Sequence, residues 1–157
     1  MTNNDILRRV RFALNIPDAL MIPLIGAGGQ TVTPAELEPW YLKDEEPGFI
    51  ACPAAVLNAF LDGLILEWRG PRSAEGPAPV SRVNNNLVLK KLRIALNLQE
   101  ADCLAVLAKG GMVVSKNELS ALFRKPGTTN FKPCGDQLLR NFLTGLIGRT
   151  RPMTTPD

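Results

Sequence analysis

Displaced by 82 positions, the chain lies over itself. Asn15 falls on Asn97, and the same register holds without a gap over about 67 residues, with about a third of the pairs identical. Asn4, Leu7, Arg11, Ala13 and Leu14 meet Asn86, Leu89, Arg93, Ala95 and Leu96. Farther along, Phe49, Cys52, Phe60, Leu61, Gly63 and Leu64 meet Phe131, Cys134, Phe142, Leu143, Gly145 and Leu146. Chance does not keep one register for so long, so the match is an internal duplication: whatever one half folds into, the other must fold into as well. The 157 residues are therefore read as two small units, 1–69 and 84–150, rather than one medium domain.

Within each unit the apolar spacing is helical. The first helix is expected to start at an Asn cap and to carry its stripe through Ile6, Leu7, Val10 and Ala13, repeated as Val88, Leu89, Leu92 and Ala95. The second is expected over 18–27 and 100–109, each copy ending at paired glycines that supply a left-handed stop, with Pro23 straining the first copy. Thr33 with Glu36, and Ser115 with Glu118, form capping boxes that start the third helix, with Pro34 at the favoured first position. The fourth begins at Pro53 and about Gly135. Its broad apolar face runs through Val56, Leu57, Phe60, Leu61, Leu64 and Ile65, and through Leu138, Leu139, Phe142, Leu143, Leu146 and Ile147. The fold class is all-α: a tandem repeat of a four-helix unit, about eight helices in a pseudo-twofold arrangement.

Residues 70–83 hold Pro71, Pro77, Pro79, Gly70 and Gly76 and read as a flexible linker spanning about 20 Å; 151–157 read as a flexible tail. A unit of this size is marginal alone, so the copies are expected to dock. Phe12 and Ile16, like Ile94 and Leu98, lie to one side of the first helix's core stripe and offer a second apolar strip for that contact.

The sequence excludes several chemistries. It contains no histidine, which removes imidazole acid–base catalysis, Ser/His and Cys/His dyads and the common zinc sites. Three cysteines without a CxxC pair make no disulfide framework, and no secretory signal or unbroken apolar span is present, so a cytoplasmic protein without membrane contact is expected. The paired glycines are not followed by a P-loop lysine, and no cofactor is expected. The charge is uneven. Residues 1–78 carry 6 Lys and Arg against 10 Asp and Glu, residues 79–157 carry 12 against 5, giving −4 and +7.

Two sets of residues could carry function. Arg8, Arg9 and Arg11, and Lys90, Lys91 and Arg93, place three cations near the start of the first helix in each copy, against the helix dipole. They could contact a partner or a phosphate, with Asn3, Asn4, Asn85 and Asn86 as neutral donors beside them. The structural alternative lays Arg11 and Arg93 along the apolar stripe, paired with Glu36 or Glu118, and leaves the others solvated. Cys52 and Cys134, ahead of the fourth helix, could be activated thiols at a positive helix end; beside Phe49 and Phe131 they are more simply small buried hydrophobes. A DNA-reading helix-turn-helix is disfavoured in the first copy by Glu36, Glu38 and the interior Pro39.

The opening Asn-Asn-x-Ile/Val-Leu-Arg/Lys-Arg/Lys-Val/Leu-Arg, the Val-Thr/Ser-x-x-Glu-Leu of the third helix, and the Phe-x-x-Cys and Phe-Leu-x-Gly-Leu-Ile of the fourth resemble the bacterial YehS-like proteins. That is a domain-of-unknown-function family built as a tandem of this unit; the resemblance covers Asn3 to about Gly148 and carries no established activity. The linker prolines and Pro23 stand outside its pattern. The functional expectation is a non-enzymatic helical binding or regulatory protein engaging another macromolecule, with nucleic-acid binding through the basic second copy and the cations of the first helices as the alternative.

Overall fold

A computed structural model describes residues 1–70 and 82–149. Most of the expected linker and the whole expected tail lie outside these residues. Among them there are eight α-helices and no strand. The first copy holds α1 (Asn3–Ala13), α2 (Asp18–Ala27), α3 (Pro34–Leu37) with a 3-10 turn over Glu38–Tyr41, and α4 (Ala54–Arg69). The second holds α5 (Asn85–Leu96), α6 (Glu100–Lys109), α7 (Lys116–Leu122) and α8 (Asp136–Leu146). Every start keeps the 82-residue register.

Local chemistry explains where the helices begin and end. Thr2, not an asparagine, caps α1: its hydroxyl accepts from the Asp5 amide at 3.1 Å and its own amide donates to the Asp5 carboxylate at 3.1 Å. Asn3 and Asn4 therefore sit in the first turn, and only the second copy has the expected Asn cap, at Asn84. Both capping boxes of the third helix form as expected. Pro39, which has no amide hydrogen to continue the ladder, ends α3 after four residues; Ala121 stands at the matching place and α7 continues. Pro23, on the exposed side of α2, leaves that helix unbroken.

The paired glycines do two different jobs. Gly29 and Gly111, at φ +107° and +100°, make the left-handed turn. Their predecessors are contact points: a Cβ on Gly28 would lie 1.8 Å from the Ala59 carbonyl oxygen, and one on Gly110 1.8 Å from that of Asn141. Gly63 and Gly145 meet the Leu24 and Val106 carbonyls as closely, so α2 and α4, and likewise α6 and α8, touch backbone to backbone.

Across the copies, α4 packs on α5, and the reciprocal pair, α8 and α1, packs on the other side, which is a pseudo-twofold relation. Apolar side chains of both copies join in one continuous core centred on Phe60 and Phe142. Ile16 and Leu98 are buried in it, and Ile94 is partly covered. Phe12 is not: it is 70% exposed. Ile147, expected on the apolar face of the fourth helix, lies beyond the end of α8 and is 41% exposed, whereas its counterpart Ile65 in the longer α4 is 1% exposed. No single helix among the described residues is long and apolar enough to cross a membrane.

Candidate functional site

The paired asparagines hold the fold. Asn4, 1% exposed, donates from its amide nitrogen to the carbonyls of Trp40 and Ile50 at 3.1 and 2.8 Å and accepts from the Cys52 amide at 2.9 Å. Asn86 repeats this with Leu122, Lys132 and Cys134 at 3.0, 2.9 and 2.8 Å. Asn3 and Asn85 donate to the carbonyls of Cys52 and Cys134. The first turn of each copy's first helix is thus riveted to the loop before the fourth. The expectation that Asn4 and Asn86 contact a phosphate is corrected, because both amide hydrogens of each are already engaged.

The thiols are likewise structural. Cys52 and Cys134 are buried and free, and each Sγ lies 3.6 Å from the following carbonyl, of Pro53 and Gly135. Burial pushes the Cys52 thiol up to about 12 and, with Asp136 adding to it, the Cys134 thiol up to about 11. A thiol held protonated by burial is a poor nucleophile.

The six cations divide sharply. Arg8 pairs with Asp5 at 2.7 Å; burial raises the Asp5 carboxyl, but hydrogen bonds from the Thr2 backbone and from Arg8 outweigh it and hold the group below its usual range. Arg11 pairs with Asp18 and lies over the Tyr41 ring at 5.1 Å; Arg93 lies over Phe123 at 4.5 Å and donates to the Leu98 carbonyl at 3.0 Å. Asp18, Tyr41, Leu98 and Phe123 take the place expected for Glu36 and Glu118. Lys91 is enclosed between the copies. Its ammonium meets the Asp62 carboxylate at 2.6 Å and the Asn58 amide oxygen at 2.5 Å, with only 11% and 14% of the Lys91 and Asp62 side chains exposed. Arg9 and Lys90 are exposed and have no acidic partner among the described residues.

The contact of α4 with α5 is thus a closed seam, sealed by Lys91, Asn58 and Asp62. In the register, the reciprocal contact of α8 with α1 sets Arg9 where Lys91 stands, Arg140 where Asn58 stands and Thr144 where Asp62 stands. No acid remains at those places. There the seam opens into a cavity of about 330 Å³ lined by Arg8, Arg9, Phe12, Leu143, Thr144 and Ile147. A second hollow, of about 530 Å³, continues past Phe12 and Ile147 towards Arg11 and Gly148. The two exposed apolar side chains stand between the hollows. Residue spacing could show Arg9 and Phe12 to be at the surface side of α1; only their exposure in the structure shows that α8 does not cover them. Among the described residues no cluster of His, Cys, Asp or Glu could hold a metal ion.

An all-helical tandem protein, with one closed and one open seam between its copies, is the class that fold and surface define. The chain belongs to the DUF1456 family, described as a protein of unknown function, whose model matches twice, over residues 3–70 and 85–151. It is similar to the uncharacterized protein YehS of Escherichia coli (strain K12), with 45% identity over 150 residues that cover 95% of this chain and 96% of that protein. The expected YehS-like family and the all-helical tandem fold are both as read from the sequence. No solved structure matches.

Proposed function

We propose that this protein works by binding another protein, and that the open α1–α8 seam is the face it uses. The observation that carries this reading is the pairing of Phe12 and Ile147, two large apolar side chains exposed side by side at a place where their counterparts Ile94 and Ile65 are covered. Apolar side chains grouped around hollows and rimmed by arginines are the composition of a protein-binding patch. The chain's lack of histidine and its protonated cysteines speak against acid–base or thiol catalysis at this face.

The basic second copy and the cations of the first helices support a nucleic-acid reading instead, but its weight is reduced, since Arg8, Arg11 and Lys91 are neutralised by Asp5, Asp18 and Asp62. Capture from native lysate by the wild-type chain and by Phe12→Ser separates the two. A protein partner retained after nuclease treatment and lost with Phe12→Ser is the expected result. Capture abolished by nuclease, or indifferent to Phe12→Ser, overturns the reading.

A further inference from the structure

The closed seam displays what the open one lacks. We propose that the open α1–α8 seam receives a carboxylate flanked by apolar side chains, supplied by an acidic segment of the partner protein. This inference rests on the reading of the seam as the partner-binding face. In the closed seam, a cation on the first helix of one copy is met by a carboxylate and an amide oxygen from the fourth helix of the other. In the open seam the cation is kept, as Arg9, while the carboxylate becomes the hydroxyl of Thr144 and the amide becomes a second cation, Arg140.

Among the described residues, the nearby acids are otherwise engaged. Asp5 holds Arg8, Asp18 holds Arg11, and Asp136 accepts from Asn85 at 2.8 Å and pairs with the Met1 ammonium. Arg9 therefore lines the cavity with no acidic partner among the described residues, and Thr144, which lines the same cavity, offers a hydroxyl donor. A guanidinium and a hydroxyl recognise a carboxylate by charge-assisted hydrogen bonds. The walls select what carries it: Phe12, Leu143 and Ile147 supply apolar surface to the same cavity. In the first copy α4 runs on to Arg69, with Trp68 partly buried against the core, whereas α8 ends at Leu146. An incoming segment that supplies the absent carboxylate beside these apolar walls combines an acid with large apolar neighbours.

The test uses the full chain and two capped tripeptides, Leu-Glu-Leu and its charge-reversed control Leu-Lys-Leu, followed by amide chemical-shift titration. Saturable shifts at Arg9, Phe12, Thr144 and Ile147 are expected with the acidic peptide alone. Arg9→Gln should weaken them at least tenfold, and Thr144→Asp should abolish them by giving Arg9 an internal carboxylate. Thr144→Asp should also raise the melting temperature at low salt, and this gain should vanish in the Arg9→Gln background. Equal binding of both peptides, no shifts with the acidic one, or indifference to Arg9→Gln overturns the inference. If Phe12→Ser abolishes partner capture while Arg9→Gln leaves it intact, the seam stands as a binding face and only the carboxylate is refuted.

Discussion

Asn4 occupies a place where an apolar residue would have fitted the stripe, and its polar amide carries three hydrogen bonds between segments 36 to 48 residues apart. Removing it leaves the Cys52 amide and the carbonyls of Trp40 and Ile50 without their partner in a dry place. Asn4→Ala is expected to lower unfolding stability by about 3 kcal/mol, and Asn86→Ala, at a more exposed site, by less, both read from urea midpoints. Tyr41 shows the opposite case. Its hydroxyl is buried without a hydrogen-bond partner among the described residues, and burial first, moderated by Arg11, pushes its phenol up to about 12. Phe123 does the same work under Arg93 with no hydroxyl. Tyr41→Phe keeps the ring under Arg11, sheds the orphan group and is expected to raise stability by about 1 kcal/mol.

At the scale of the helices, glycine decides which elements can approach. Gly28 touches the backbone of α4, so Gly28→Ala is expected to lower stability by at least about 3 kcal/mol. Gly26, two residues earlier in α2, has nothing within 4 Å of a Cβ, and Gly26→Ala is expected to raise stability by about 1 kcal/mol. Thermal or urea unfolding of the two variants side by side checks both signs. Much at this scale was legible in the sequence. The bounds of α2 and α6, the capping boxes and the starts of α4 and α8 all follow from apolar periodicity and cap chemistry, which act within a few residues. Pro39 as the reason for the short α3 was visible as a proline but not as a switch to a 3-10 turn. The close approach of Gly28 and Gly63 was not legible, because a stripe identifies the buried face of a helix and says nothing about the distance to its neighbour. The roles of Asn4 and Lys91 escaped for the same reason: their partners stand on other elements, 29 to 48 residues away.

For the molecule as a whole, the enclosed Lys91–Asp62 pair sets the relation of the copies. Removing one member strands the other in a nearly dry contact, so Asp62→Ala is expected to cost about 3 kcal/mol, whereas the double replacement Asp62→Leu with Lys91→Met stays near the wild type; equilibrium unfolding of both distinguishes a lost pair from lost packing. The same pair carries a consequence for ancestry and assembly. Two first copies brought together without their sequel would set Arg9 against Asp62 on both sides of a true dyad, whereas two second copies would set Lys91 against Arg140 twice. The severed first half is therefore expected to pair with itself and the severed second half to stay solitary, so that fusion in a single gene product, by yoking unlike twins, leaves one handshake unmet.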